Sequence, residues 1–439
     1  MAESSWSFAG TEPAPLLGSL RIPGDKSVSH RAVMLGSIAQ GTTEIHGFLP
    51  AADTLATLRI FEQLGVNVVR GETDQLLVQG VGLHGLKPPT GPLDCGNAGT
   101  AMRLLAGLLA GQSFDTSLVG DESLSVRPMQ RIIDPLTRMG ARIESESGLA
   151  PLHIVGGRVL SGIDIQPEQA SAQVKSAILL AGLYASGPTT VRELRPTRDY
   201  TERMLLRMGC DVRIESDLIV LQPPQQLAAQ VWDVPADFSS AAFWLVAASL
   251  IPGSDLVLQS VGISERRAGL LRVLRLMGAD IEVLNTRDQG LDVVADLRVR
   301  AVKLHGIEVP IDCVPDMIDE FPILFVAAAC ASGVTTIRGA AELRHKESDR
   351  LQVMADGLSA MGVKVQTTND GARIEGGLSL HAAAIASHGD HRIAMSLAML
   401  NWARALPGTV LNVENVGTSY PEFAEQLLQR QAPLQISRA

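Results

Sequence analysis

Six times along this chain a turn of small residues opens into a β-like stretch: GTTEIHGF at 41–48, GQSFDTSLVG at 111–120, GPTTVREL at 187–194, GSDLVLQSVG at 253–262, GVTTIRGA at 333–340 and GTVLNVENVG at 408–417. Their leading glycines, Gly41, Gly111, Gly187, Gly253, Gly333 and Gly408, stand 70, 76, 66, 80 and 75 residues apart. A period this long and uneven does not suit a short-repeat solenoid and points to a duplicated supersecondary unit. Between the copies, apolar helical patterns end near Gly65, Gly140, Gly209, Gly278 and Gly362. A glycine after the last apolar position suits a left-handed C-cap, and the alternating residues beyond it read as a strand. The unit therefore reads strand, helix, strand, helix, strand, strand. Six such units need two bodies, because one core seldom grows to this length. The copies divide three and three near residue 240, where VWDVPADFSS turns into the helical run AAFWLVAASL.

With 46% hydrophobic residues the chain can bury sizeable cores, and with 4% aromatic residues these cores must rest on Leu, Val, Ile, Ala and Met. The 37 basic residues against 47 acidic ones disfavour general nucleic-acid binding by a basic surface. Local basic clusters carry more meaning, since a cleft can gather anions while the exterior repels them. Cys95, Cys210, Cys313 and Cys330 lack metal-ligand spacing and read as buried small hydrophobes in a reducing compartment. The start, MAESSWSFAGTEPAPL, has neither a basic opening nor an apolar leader core, so the expectation is a cytoplasmic protein with no membrane contact.

Several charged clusters sit at turn-to-helix junctions. In Gly24-Asp25-Lys26-Ser27-Val28-Ser29-His30-Arg31, Gly24 permits a tight turn, Ser27 or Ser29 can cap the helix, and Ser27 and Arg31 share a face. In Asp94-Cys95-Gly96-Asn97-Ala98-Gly99-Thr100, two glycines and a cap-forming Asn or Thr leave N–H groups for an anion. It is neither GxxxxGK[ST] nor GxGxxG. Arg127, the group Ser171, Ala172, Gln173 and Lys175, and Arg195 with Arg198 follow the same pattern. Each segment taken alone fits an ordinary capped helix as well as a phosphate or carboxylate site.

The late group adds acid–base capacity. Asp319 and Glu320 interrupt PDMIDEFP ahead of an apolar helix, and Glu347 lies in Arg344-His345-Lys346-Glu347-Ser348-Asp349-Arg350. Read as one helix, that segment pairs Lys346 with Arg350 at i, i+4 and Glu347 with Arg350 at i, i+3. Cations beside a carboxylate suit an anion held next to a proton-transfer group; a solvated ion pair explains the same spacing. Arg392 again opens an Ala/Met/Leu-rich helix, with His391 beside it as a phosphate donor or proton carrier, or as a structural histidine.

In order, GDKSVSHR, DCGNAGTAMR, SVRP, SAQVKSA, MIDEFP, HKESDRL and GDHRIAM resemble the EPSP synthase family, in its class II branch, from Gly24 to Met395. The resemblance implies an α/β, two-domain enolpyruvyl transferase-like fold, each domain built from three repeated units around buried helices. Residues 1–22 with 241–439 would form a discontinuous domain and 23–240 an inserted one, with the active site in the cleft between them. The implied reaction moves the enolpyruvyl group of phosphoenolpyruvate to the 5-hydroxyl of shikimate 3-phosphate.

By similarity, Asp319 accepts the hydroxyl proton, Glu347 protonates and later deprotonates the methylene carbon, Lys346 stabilises changing charge and Lys26 bridges both substrates. Ser27, Arg31, Ser171, Ala172, Gln173 and Arg198, with Lys26, Asp319 and Lys346, resemble the shikimate 3-phosphate ligands. Asn97, Gly99, Arg127, Arg350, His391, Arg392 and Thr418, with Lys26, Gln173, Lys346 and Glu347, resemble the phosphoenolpyruvate set. Ala172, Glu342 and Thr418 depart from relatives carrying Ser, Asn and Lys there, and Thr418 puts one anion contact in doubt. No cofactor or metal is implied; a monomer and competition by glyphosate are. A runner-up is UDP-N-acetylglucosamine enolpyruvyl transferase, whose catalytic-loop Cys has no counterpart in GDESLSVRP; another is a noncatalytic phosphometabolite-binding protein.

Overall fold

Each of the six recurring stretches lies in a different β-sheet: Gln40–His46, Thr116–Val119, Thr189–Arg192, Asp255–Gly262, Gly333–Ile337 and Thr409–Leu411. The computed structural model describes residues 4–72 and 74–437, so the first three residues of the leader reading lie outside it. In the second sheet, Thr116–Val119 runs parallel to Leu93–Asp94 and antiparallel to Leu152–Val155, which pairs with Arg142–Glu144. The other sheets repeat this order. In the fifth, the parallel side shrinks to the bridges His305–Ser332 and Glu308–Thr336.

The sixth repeat borrows its last strand. Thr409–Leu411 pairs antiparallel with Ser5–Phe8 from the start of the chain, which pairs in turn with Leu434–Ser437. Its outer helix, Phe423–Gln429, also lacks the glycine that marks the other five: Gly65, Gly140, Gly209, Gly278 and Gly362 have φ from +86° to +104°, whereas Gln431 fills the left-handed position at φ +61°. The backbone demand is the same in all six; only the residue meeting it differs.

Chain contacts separate two units, Met1–Pro23 with Pro235–Ala439, and Gly24–Val234. Within Gly24–Val234, the first sheet is completed by the last strand, Val231–Asp233, parallel to Gln40–His46. In the other unit, Leu17–Arg21 runs parallel to Asp255–Gly262. Gly24–Val234 thus closes with its own last strand, and the other unit joins strands from both of its segments.

Three helices fill the middle of each unit: Lys26–Ser37, Gly99–Ala110 and Ala172–Gly182 in one, Phe238–Leu250, Phe321–Cys330 and His391–Ala403 in the other. Gly99–Ala110, Phe238–Leu250 and Phe321–Cys330 are apolar on nearly every face, as helices covered all round must be. The few aromatic residues concentrate in the second trio, where Trp244 meets Trp402 edge-on at 6.1 Å and donates through Nε1 to the Tyr420 hydroxyl at 3.0 Å. No helix among the described residues is long and apolar enough to cross a membrane.

Candidate active site

The three central helices of Gly24–Val234 run side by side with their first turns level. Arg31, in the second turn of its helix, donates to Ser176 Oγ at 2.9 Å, and Gln173 Nε2 donates to Thr100 Oγ1 at 2.8 Å. Positive helix ends therefore converge on one patch, and the residues expected to hold anions stand there. Gly24 is required just before it, because a Cβ at that position would lie 1.9 Å from the Gly47 carbonyl oxygen.

Lys26 leads the first helix and pairs with Asp53 at 2.8 Å. The cap is Asp25, accepting from the Val28 N–H at 2.9 Å, rather than Ser27 or Ser29; Ser29 is buried and accepts from the Leu49 N–H. An ionised carboxylate is the stronger acceptor for that N–H, which leaves Ser27 partly open at the helix mouth. Arg31 is fixed by Thr201 Oγ1 at 2.7 Å and the Ser27 carbonyl at 3.0 Å. Burial pulls its guanidinium down to about 10, with Glu202 opposing and Arg198 adding to the pull, so it stays charged at neutral pH.

The second helix starts without a side-chain cap. Its N-cap is Ala98, not Asn97 or Thr100. Asn97 instead organises Arg127, accepting 2.6 Å from Nη2 through Oδ1 and 3.3 Å from Nη1 through its carbonyl, while its amide holds Asp121 at 2.8 Å. A Cβ on Gly99 would sit 3.2 Å from Nη1 of both Arg127 and Arg103. In the third helix Ser171 is the cap, Ala172 follows it, and Gln173 accepts from Arg103 at 2.6 Å. Arg198, partly buried, lies on the segment leading to Tyr200–Arg207.

The other unit gathers the carboxylates. Arg350, 1% exposed, donates through Nη2 to Glu347 at 2.6 Å, through Nε to Asp390 at 2.8 Å and through Nη1 to Asp319 at 3.4 Å. Burial alone would lower its guanidinium, but Asp390, Glu347 and Asp319 together hold it above the ordinary arginine value. Lys346 Nζ lies 3.6 Å from Asp319 and 3.1 Å from Glu342, and Arg392 donates to the Asp319 carbonyl at 3.2 Å. Asp319, Glu347, Lys346 and Arg350 thus form one cluster joined to Arg392.

The single helix expected across Lys346–Arg350 does not form. The helix begins at Arg350, capped by Asp349 accepting from the Gln352 N–H at 3.0 Å, and Lys346 is extended at φ −87° and ψ −153°. Asp349 favours a cap over a helix interior. Glu347 consequently meets Arg350 from a loop and is 19% exposed. His391 is buried, with Nε2 3.0 Å from Ser419 Oγ. Thr418 is not drawn into the arginine cluster by its hydroxyl, which donates to the Asn415 carbonyl at 2.7 Å.

Several residues at these centres were given no role from sequence. Asp53 and Arg103 brace Lys26 and Gln173. Asp390 caps the helix of Arg392, accepting from its N–H at 2.9 Å while it holds Arg350; an Asp preceding an apolar helix was its signal. Arg267 pairs with Asp237 at 2.6 Å and with Glu320, next to Asp319 in the chain, at 2.9 Å, with Ser239 joined to both Arg267 and Glu320. Nothing local in the sequence announces contacts 30 and 53 residues apart. The four cysteines are free, and burial pushes the thiols of Cys210 and Cys330 up to about 11 and about 12. No group of three or more His, Cys, Asp or Glu among the described residues could hold a metal ion.

Residues 11–427 match the family described as EPSP synthase (3-phosphoshikimate 1-carboxyvinyltransferase). The chain is 56% identical over 424 residues to the 3-phosphoshikimate 1-carboxyvinyltransferase of Xanthomonas campestris pv. campestris, covering 96% of this chain and 97% of the relative. It is 56% identical over 411 residues to that of Alkalilimnicola ehrlichii, covering 93% and 92%. The solved EPSP synthase of Acinetobacter baumannii superposes with a TM-score of 0.88 at 47% identity, covering 99% of this chain and 100% of that one.

Proposed function

Because the chain belongs to the EPSP synthase family, we propose that its two groups of charged side chains together bind one pair of substrates. The reaction is the transfer of the enolpyruvyl group of phosphoenolpyruvate to shikimate 3-phosphate, with release of phosphate. The 5-hydroxyl attacks C2 of phosphoenolpyruvate as its methylene carbon takes a proton. The tetrahedral ketal phosphate then loses that proton and phosphate, so the C–O bond breaks rather than the P–O bond.

The observation that carries the assignment of roles is the Arg350 junction, where one guanidinium joins Asp319 and Glu347 while Lys346 flanks Asp319. Asp319 takes the hydroxyl proton; Glu347, reached from a loop and partly open, serves the methylene carbon; Lys346 offsets the charge that appears. Arg127, Arg350 and Arg392 meet the carboxylate and phosphate of phosphoenolpyruvate with planar forks, with Gly99 and Asn97 shaping the Arg127 side and His391 and Thr418 lining the helix Arg392 opens. Lys26 stands between the two substrates. Arg31, Arg198, Ser27, Ser171 and Gln173 meet shikimate 3-phosphate, while Ala172 contributes contact but no hydroxyl.

Holding both anions together excludes water and aligns the reacting atoms. A coupled phosphate-release assay with product detection tests the reading: release must require both substrates and yield the enolpyruvyl ether. Release without the ether overturns it. The same reading makes glyphosate a competitor of phosphoenolpyruvate and the working species a monomer; inhibition at varied phosphoenolpyruvate and sedimentation of the active protein check each.

A further inference from the structure

Lys175 is a lysine where water cannot reach it. It is 1% exposed in the first turns of the helix Ala172–Gly182, and its ammonium lies 2.6 Å from Glu202 and 3.0 Å from Glu193. Glu202 is itself fully buried on the next helix. Glu193 accepts from the Thr197 N–H at 3.0 Å and from its hydroxyl at 2.5 Å, and Lys175 donates to the Thr197 carbonyl at 3.5 Å. One residue further along stands Arg198. Ser176, next to Lys175, meets Thr201, next to Glu202, at 2.7 Å, and both hold Arg31.

Burying an ammonium is costly and is tolerated where partners compensate it. Here the pairing places two cations, Arg31 and Lys175, with two carboxylates, Glu193 and Glu202. Burial and then the like charge of Arg198 lower Arg31, while Glu202 opposes them, which sets Arg198 among the charges that face Arg31. None of these contacts is needed merely to cover the apolar core, which Val174, Ile178 and Leu179 fill from the same helix.

We infer that Lys175 is a positioning residue: by gathering Glu193, Glu202 and the Thr197 carbonyl, it fixes the 193–199 segment so that Arg198 stands near Arg31 for the phosphate of shikimate 3-phosphate. This rests on the reading above that Arg31 and Arg198 bind that substrate. A freed segment loses one oriented cation from the phosphate site and leaves the Asp319–Glu347–Arg350 cluster untouched.

Steady-state kinetics of Lys175→Met, with Arg198→Ala beside it, test this. Both variants are expected to raise the KM for shikimate 3-phosphate by about tenfold or more, the scale of one charge-assisted hydrogen bond, with kcat and the KM for phosphoenolpyruvate nearly unchanged. A general loss of kcat in Lys175→Met, or a rise in both KM values, overturns the positioning role. An unchanged KM in Lys175→Met with a raised one in Arg198→Ala overturns this inference alone; unchanged values in both overturn the proposed binding of shikimate 3-phosphate by Arg198 with it. Should Lys175→Met not fold, Lys175→Met/Glu202→Leu removes both charges together, and a normal KM for shikimate 3-phosphate in that variant sinks the proposal.

Discussion

Arg350 donates to Glu347 at 2.6 Å, so the guanidinium proposed to hold phosphoenolpyruvate is bonded to the carboxylate proposed to move its proton. The same group is anchored from behind by Asp390 at 2.8 Å. Binding and proton transfer are therefore mechanically linked: whatever shifts the guanidinium shifts the carboxylate. Asp390 extends the link, because it also caps the helix carrying Arg392.

Arg350→Lys tests this linkage with charge preserved. An ammonium is a point donor that cannot meet Asp390, Glu347 and Asp319 in three directions from one plane. The expected outcome is a fall in kcat/KM for phosphoenolpyruvate of roughly 10²-fold, about 2.7 kcal/mol, as charged bonds are lost at a buried site. Kinetics at fixed shikimate 3-phosphate measure it. A loss below about threefold would return Arg350 to an ordinary ion pair.

Asp319→Asn and Glu347→Gln remove proton-transfer capacity while nearly conserving volume. Each should lower kcat by about 10² to 10⁴-fold, the usual contribution of a placed acid or base. Shikimate 3-phosphate binding, followed by calorimetry, should stay within a few-fold. Retained turnover in both variants would take the proton-transfer roles away from these two carboxylates.

Gly99→Ala places a methyl carbon 3.2 Å from Arg127 Nη1 and Arg103 Nη1. Arg127 is held by Asn97 from the side, so its fork has little freedom to give way. The KM for phosphoenolpyruvate should rise several-fold, while that for shikimate 3-phosphate changes less. Equal effects on both constants would show that the strain passes through Arg103 to Gln173 instead.

The repeat was legible because the same backbone demand recurs with the same residue: a glycine after each outer helix and a small-residue turn before each recurring strand. It failed where another residue met the demand, as Gln431 does, or where the missing strand came from the other end of the chain, as Ser5–Phe8 does. The residues proposed to bind anions stood out because they interrupt apolar helices at their first turns. Their supports did not. Asp53, Glu202 and Arg267 act through contacts distant in sequence, and a buried charge on an otherwise ordinary helix carries no local pattern. The helix expected over Lys346–Arg350 fails for a local reason: the capping preference of Asp349 prevails over the ion-pair spacing that suggested one continuous helix.

His30 provides a pH-dependent stability prediction. It is fully buried, with Nδ1 2.7 Å from Thr57 Oγ1, and burial, then Lys26 and Arg31, hold its imidazole well below the ordinary histidine value. The unfolded chain binds a proton there near pH 6.5 that the folded chain refuses, so the unfolded state takes up more protons below that pH. Its share of stability is complete above about 6.5 and erodes as pH falls, by up to ~1.4 kcal/mol per pH unit. Thermal melts from pH 7.5 to 5.5 should show a steeper decline in the parent than in His30→Gln. Parallel declines would assign the acid sensitivity elsewhere.

Arg267 is paired with Asp237 and with Glu320, the neighbour of Asp319 in the chain, and all three are nearly inaccessible. Arg267→Met leaves two buried carboxylates without their cation, and breaking such a pair from one side costs ~3–5 kcal/mol. Removing the charges together costs less, because no ion is then stranded. Arg267→Met/Asp237→Asn/Glu320→Gln should therefore recover part of the stability lost in Arg267→Met, as measured by the urea midpoint. Turnover should not recover with it, since Glu320 adjoins Asp319 and stands 3.9 Å from Arg392. A triple variant that regains both stability and full kcat would show that the network supports the fold alone and does not orient its neighbours.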